Sequence, residues 1–263
     1  MPIPEQDKIM TVPFTVRSYE SDPSRRATIQ TICNYLQESA WLHAARLGFA
    51  LADREDNDKT WVLLRLYVKM LRYPVWGDAV QVSTWPSGKD RLYAYRDFEI
   101  HDIRNELLGM ATSSWIIIDA KKRRPQRMPE DLDRSIPVSK AVALHETLLR
   151  DEPSGPDRVD AQAEFNVRLS DIDVNNHVNN VNFVEWAIEA VPAAWRCENV
   201  LTELHVAFKS ESSYGDRVVS QFGSVQPGQR ALHRVFRLSD DKPLILAETV
   251  WRQQKEFEEG GSP

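Results

Sequence analysis

The sequence predicts an α+β chain made of two copies of one unit, each an amphipathic helix laid against an antiparallel sheet. Three observations carry this. Apolar residues take up helical spacing after Thr28 and again from Val181. After each helix come alternating runs separated by turn residues, the pattern of a meander. The two halves also align in order. Val16-Arg17 matches Val167-Arg168 at an offset of 151, which also carries Glu38-Ser39-Ala40 onto Glu189-Ala190-Val191. Trp76-Gly77-Asp78 matches Tyr214-Gly215-Asp216 at 138, and Trp115 matches Trp251 at 136. The offsets only fall, as a shorter loop in the second copy requires.

Taken in order, residues 1–12 read as an extended lead-in. Ile29, Ile32, Cys33, Leu36 and Ala40 share one helix face that Ala44 and Leu47 continue, and Gly48 is the stop. Residues 53–59 are a solvated loop. Trp61–Leu71 alternates, with Arg65 and Lys69 on one face and Leu64, Leu66, Val68 and Met70 on the other, a half-buried strand. Turn chemistry at Tyr73–Asp78 precedes strands at Val80–Trp85, Leu92–Ile100 and Leu108–Asp119, the last two joined by a hairpin at Asn105 and Glu106. Residues 121–160 have the composition of a linker, with a short helix around Val138–Leu149. We therefore assign the N-terminal unit to 1–137, the linker to 138–162 and the C-terminal unit to 163–263. Strand character returns at Glu164–Arg168. A helix then runs along Val181, Val184, Ile188 and Val191, capped by Asn179 or Asn180 and ended by Pro192. Strands follow at Leu201–Phe208, Arg217–Phe222, Ala231–Leu238 and Leu244–Arg252.

The loop before the second helix concentrates polar chemistry. Asp171, Asp173, Asn175, Asn176, His177, Asn179 and Asn180 crowd into ten residues. An acid, an amide and an imidazole at a helix start, where unpaired N–H groups favour an oxyanion, form a plausible catalytic set. The bland reading is an Asx-rich capping loop. The offset of 151 places Asp22, Ser24 and Arg26 opposite Asp173, Asn175 and His177, and the offset of 138 places Tyr73 opposite Glu211. Only the second copy keeps the set, which predicts one active site per chain.

Composition narrows the classes. A chain of 263 residues with 42% hydrophobic content supports real cores, and a net charge of −6 argues against general nucleic-acid binding. Cys33 and Cys197 form no metal or disulfide spacing and suit a reducing compartment. Apolar runs are too short to span a bilayer, and the N-terminus reads as neither signal nor transit peptide. The expected setting is cytoplasmic, bacterial rather than plastid stroma. His43, His101, His145, His205 and His233 lack ligand spacing, so no metal and no cofactor are expected. Trp61, Trp85, Trp115 and Trp251 are core candidates, and Glu38 and Glu189 are structural candidates with an arginine as the partner to look for.

The stretch DIDVNNHVNNVNFVEW resembles the central motif of acyl-acyl carrier protein thioesterases. The likeness extends to VRSYE (16–20), NYLQESA (34–40), RYPVWGD (72–78), SSWIII (113–118) and RMPED (127–131), and covers most of residues 14–252. DxDxxxHVNN occurs across many hotdog proteins; with RYPxWGD and the order of the others it is specific to this family. The resemblance implies two tandem hotdog units and hydrolysis of the thioester between a fatty acyl chain and the carrier's phosphopantetheine. It implies a catalytic set of Asp173, Asn175, His177 and Glu211, with Glu211 as base and Asp173 its rival. Some members carry a cysteine directly after that Glu; Ser212 stands here, which argues for attack by water. The acyl chain is expected in the first copy, at Cys33, Leu36, Gln37, Ala40, Leu64, Leu66 and Val68. The cations Lys121, Lys122, Arg123, Arg124 and Arg127 are either a solvated loop or a docking patch for the acidic carrier. An acyl-coenzyme A thioesterase and a non-catalytic acyl-binding protein are the alternatives, and a dehydratase fits less well. Either a monomer or a homodimer suits a tandem repeat.

Overall fold

A computed structural model of the chain describes residues 3–50, 59–119, 121–138, 144 and 151–259. It divides into two compact units, Met1–Val68 with Tyr73–Arg150 and Lys69–Arg72 with Asp151–Pro263.

The first unit opens with β1 (Met10–Thr15) and α1 (Ile29–Arg46). The Thr28 hydroxyl caps α1 by accepting the Thr31 N–H at 3.1 Å, and Gly48, with φ +79°, follows its end. Strands β2 (Lys59–Met70), β3 (Ala79–Lys89), β4 (Ala94–Asp102), β5 (Leu107–Asp119) and β6 (Arg124–Gln126) complete it. Their order is β1-β3-β4-β5-β2, with β6 paired to β5. The apolar face of α1, including Ile32, Cys33, Leu36 and Ala40, lies on β3 and β1. On β2, Leu66, Val68 and Met70 are buried as their alternation predicts, but Leu63 and Tyr67 on the other face are buried too. The strand is thus covered on both sides in its middle. Residues 124–136 do not behave as their linker composition suggests. After β6, Met128 and Leu132 bury themselves against Ala94 and Ile117, with Trp61 packed alongside.

The second unit contains β7 (Ala161–Asn166), α2 (Asn180–Glu189), α3 (Ala193–Glu198), β8 (Asn199–Phe208), β9 (Arg217–Gln226), β10 (Arg230–Arg237), β11 (Lys242–Gln253) and α4 (Gln254–Glu259). The strand order is β8-β11-β10-β9-β7, and α2 packs on β9, β10, β11 and β7. Each unit is a hotdog, a helix held by an antiparallel sheet. Helix α3 has no counterpart in the sequence reading: Pro192, past the end of α2, stands at its N-cap, and Trp195 then packs edge-on to Phe222 and Trp251. Strand β7 starts earlier than its residues suggest, because Ala161–Ala163 already pair with β9, and ends earlier, because the Arg168 N–H is taken by the Asp171 carboxylate. Residues 151–160 run onto this unit. The Asp160 N–H donates to the Phe222 carbonyl at 2.8 Å, and a Cβ at Gly223 would meet the Arg158 carbonyl oxygen at 2.3 Å. The expected helix at 138–149 falls almost wholly outside the described residues. No described helix is long and apolar enough to cross a membrane.

Trp85 and Trp251 are core residues, while Trp61 and Trp115 are half-buried. Both units use the same tryptophan device: Trp115 Nε1 donates to Ser113 Oγ at 2.8 Å, and Trp251 Nε1 to Thr249 Oγ1 at 2.9 Å.

Among the described residues, two histidines are fully buried. His43 on α1 presents Nε2 to the Asp7 carbonyl and Nδ1 to the Arg96 guanidinium, at 3.1 and 3.0 Å. His233 on β10 meets the Thr249 hydroxyl at 2.8 Å. Burial, reinforced at His43 by Arg96, holds both at about 4, below the ordinary value of 6.5. The unfolded chain therefore binds protons between pH 6.5 and about 4 that the folded chain refuses. Stability is full above pH 6.5 and falls as pH drops through that window. Thermal melts from pH 7 to 4.5 should show a falling Tm, with a shallower slope in His43→Asn and in His233→Asn.

Candidate active site

Both units build the entrance to their helix from the same bonds. Arg17 and Glu20 stand where Arg168 and Asp171 stand in the second copy. The Arg17 N–H donates to Glu20 Oε2 at 2.8 Å, and the Arg168 N–H to Asp171 Oδ2 at 2.7 Å. The carbonyl of that acidic residue then receives the helix start. Glu20 O accepts from the Thr28 N–H (3.0 Å) and the Thr31 hydroxyl (2.6 Å); Asp171 O accepts from the Asn179 N–H and Asn182 Nδ2, both at 2.9 Å. Between these points the chain makes a tight loop. The Asp22 N–H donates to the Arg26 carbonyl and the Asp173 N–H to the His177 carbonyl, each at 2.8 Å. Arg25 and Asn176 turn the corner at φ +67° and +61°, a left-handed conformation that suits asparagine better than arginine.

A second turn closes on each loop. Ala27 N–H donates to Pro74 O at 2.9 Å in the first unit, and Val178 N–H to Ser212 O at 3.0 Å in the second. Gly77 and Gly215, at φ +93° and +86°, serve equivalent positions in these turns. Backbone bonding alone therefore sets the residue before Val178 beside the residue before Ser212. Those residues are His177 and Glu211, and His177 Nε2 lies 3.3 Å from Glu211 Oε2. Their side chains are 36% and 37% exposed, so solvent reaches the pair.

The other two members of the set pair with each other. Asp173 Oδ1 accepts the Asn175 N–H at 2.8 Å, and Asn175 Nδ2 lies 3.4 Å from Asp173 Oδ2. The free N–H groups expected at the start of α2 are partly used. Asn179 Oδ1 takes the Val181 N–H at 3.1 Å, and the Asn179 carbonyl takes that of Asn182 at 2.9 Å. Asn175, exposed on the loop, remains an amide donor.

In the first unit Asp22, Arg26 and Tyr73 occupy the corresponding positions. Arg26 Nε sits 3.8 Å from Asp22 Oδ2. Burial pushes the Tyr73 phenol upward, with the nearby Cys33 adding to it and Arg26 opposing. The Cys33 thiol is likewise pushed up to about 12, so it is no thiolate at neutral pH.

Comparison with known proteins agrees with this duplicated design. Residues 7–136 match the acyl-ACP thioesterase N-terminal domain and residues 155–253 the acyl-ACP thioesterase C-terminal domain. The chain belongs to the acyl-acyl carrier protein thioesterase family. Among similar proteins in the family is a chloroplastic acyl-[acyl-carrier-protein] hydrolase of Cuphea viscosissima, 29% identical over 256 residues, covering 91% of this chain and 60% of the relative. An oleoyl-acyl carrier protein thioesterase of Arabidopsis thaliana is 29% identical over 273 residues, covering 92% of this chain and 75% of its own. This chain thus spans about 60% of the length of the Cuphea relative it matches. Solved structures share the fold, two of them from the same family. The acyl-ACP thioesterase of Bacteroides thetaiotaomicron superposes with a TM-score of 0.84 at 22% identity, covering 95% of this chain and all of its own. The 12:0-ACP thioesterase of Umbellularia californica gives 0.83 at 26% identity, covering 94% and 98%.

The residues expected to hold the acyl chain and to meet the carrier lie in the first unit of this family member. Cys33, Leu36, Ala40, Leu66 and Val68 are buried, and Gln37 and Leu64 are half-buried. Lys121, Lys122, Arg123, Arg124 and Arg127 are exposed around the turn between β5 and β6, where the Asp119 carboxylate accepts the Lys121 and Lys122 N–H groups at 3.1 and 2.8 Å. Glu189 pairs with Arg196 at 3.0 Å, while Glu38 is exposed. Asp171 is the residue that sequence reasoning undervalued. An arginine three residues before an acid, in both copies at one offset, was the available signal. Its carboxylate is buried and takes Arg168 through its N–H, Nε and Nη2. Asp171→Ala should cost about 1–2 kcal/mol, within the range for lost caps. A melt should show Tm lower by several degrees, more than for Glu20→Ala, whose carboxylate is less buried.

Proposed function

We propose that this chain hydrolyses the thioester joining a fatty acyl chain to the phosphopantetheine of an acyl carrier protein, releasing free fatty acid and ending chain elongation. The observation that supports it most is the 3.3 Å contact between His177 and Glu211, formed in the one copy that also keeps Asp173 and Asn175. A thioester carbonyl is more electrophilic than an ordinary ester, because sulfur donates poorly into it. Hydrolysis then needs an oriented water, a base and a donor for the oxyanion.

In this reading a water on the open side of the pair is held by His177 and loses a proton to Glu211 as its oxygen attacks the carbonyl carbon. Asn175 Nδ2 donates to the oxygen that becomes negative. Collapse of the tetrahedral intermediate breaks the C–S bond, and the proton on Glu211 passes to the departing sulfur. Carboxylic acid and carrier thiol leave. In this reading Asp173, which accepts from Asn175, orients that amide, and Glu211 takes the part of the base. Attack by cysteine finds no support, since Ser212 follows Glu211, the Cys33 thiol is buried, and the exposed Cys197 lies on α3, outside the loop and turn that carry the polar set. Two unpaired thiols suit a reducing compartment, and the bacterial cytoplasm is the setting we propose.

The acyl tail is assigned to the first unit, against Cys33, Leu36, Gln37, Ala40, Leu64, Leu66 and Val68. Burial of methylenes at about 0.8 kcal/mol each supplies the binding. The exposed cations at Lys121–Arg124 and Arg127 are assigned to docking of the acidic carrier, which their display on a hairpin turn supports.

The catalytic assignment is tested with Glu211→Gln, Asp173→Asn and His177→Ala, assayed on long-chain acyl-carrier substrate beside thermal melts. Each should lose about 10²- to 10⁴-fold in kcat with Tm nearly unchanged; near-native turnover in Glu211→Gln would sink the assignment. The docking assignment is tested by reversing Lys122, Arg123 and Arg124 to Glu. KM for the acyl-carrier substrate should rise about tenfold and lose its salt dependence, while hydrolysis of the same acyl chain on pantetheine alone stays unchanged. Equal effects on both substrates would rule docking out.

A further inference from the structure

The duplication provides an internal control. Bonds present in both copies belong to the fold, whereas bonds present only beside the polar set serve that set. The turn carrying Glu211 has such bonds. Ser212 is fully buried, and its hydroxyl donates to Asp216 Oδ2 at 2.8 Å. The first copy has Pro74 there, which offers no donor. In both turns the aspartate caps a backbone N–H at 2.9 Å, Ser213 to Asp216 and Val75 to Asp78. In the second turn alone, among the described residues, an arginine joins it. Arg237, the last residue of β10, sets Nη1 3.6 Å from Asp216 Oδ2 and 3.4 Å from the Glu211 carbonyl oxygen. Its Nε and Nη2 are held by Asp240 at 3.0 and 2.8 Å.

We infer that Arg237 and Ser212, acting through Asp216, are positioning residues that hold Glu211 against His177. The inference rests on the catalytic reading above. A side-chain contact as exposed as His177–Glu211 contributes little orienting energy by itself, and the backbone on either side of Glu211 is held in place. On one side the Lys209 N–H donates to the Leu244 carbonyl at 2.8 Å and Ser210 Oγ to the Pro243 carbonyl at 2.5 Å. On the other, the Ser212 carbonyl takes the Val178 N–H. Arg237 and the Ser212 hydroxyl lock the short stretch between these anchors, where a displacement of about 1 Å is worth about 100-fold in rate.

The experiment measures kcat, KM and Tm on long-chain acyl-carrier substrate for Arg237→Ala, Arg237→Lys, Ser212→Ala and Asp78→Ala, with Glu211→Gln alongside. Arg237→Ala should lose about 10- to 100-fold in kcat with KM within about twofold. Ser212→Ala should lose less in the same direction, and Arg237→Lys should recover most of the loss. Asp78→Ala, which removes the aspartate cap from the first unit's turn, should lower Tm and leave kcat alone. Wild-type kcat in both Arg237→Ala and Ser212→Ala, beside an inactive Glu211→Gln, overturns the clamp and leaves the catalytic reading standing. Losses that merely track Tm, or that Asp78→Ala reproduces, overturn the clamp as well. Wild-type turnover in Glu211→Gln overturns both. Should Arg237→Ala fail to fold, Arg237→Lys and Ser212→Ala carry the test.

Discussion

A single backbone hydrogen bond, from the Val178 N–H to the Ser212 carbonyl, is the constraint on which the second unit's chemistry depends. It joins the loop that leads into α2 to the turn that follows β8. Because it uses only main-chain atoms, it survives almost any change of side chain, and the first unit makes the same bond from Ala27 to Pro74. The fold therefore presents two facing positions in each copy without asking what occupies them. Side chains then decide whether the pair is an imidazole with a carboxylate or an arginine with a phenol.

That division explains why one scaffold can hold a wet site and a dry one. Around His177 and Glu211 both side chains remain about a third exposed, which leaves room for water and substrate. Around Arg26 and Tyr73 the phenol and the Cys33 thiol are buried and pushed far toward their neutral forms. Reactive groups in a desolvated pocket of this kind lack the charge that acid–base chemistry needs. The first copy has kept the turns, the caps and the left-handed corner, and sets a buried phenol where the second copy has Glu211.

The polar residues of the second copy also divide their labour by burial. Asp171 and Ser212 are buried, and each is bonded to the frame of the loop or the turn. Asn175 is exposed, and Asp173, His177 and Glu211 are partly so, with at least one atom facing outward. Buried polar groups must be satisfied or they destabilise the fold, so the inner residues have defined partners and a structural duty. The outer residues are free of that demand and available for a reaction.

Much of this was legible in the amino-acid order. Helix α1 runs from Ile29 as its apolar spacing indicates, and Asn179 caps α2. Offsets of 151 and 138 align the main-chain hydrogen bonds that the loops and glycine turns of the two copies share. Periodicity, capping and turn chemistry are decided among residues a few positions apart, so they can be read along the chain. Other features were not legible. Helix α3 depends on Trp195 reaching Phe222 and Trp251, β7 on the Arg168 N–H going to Asp171, and residues 124–136 on an apolar cluster that covers Met128 and Leu132. By itself the sequence determined the duplicated α+β plan and the residue types set aside for chemistry. Only the tertiary structure decided that His177 meets Glu211 and that Asp173 turns to Asn175, because such pairings arise from turns brought together across a helix and a strand, where no local pattern reaches.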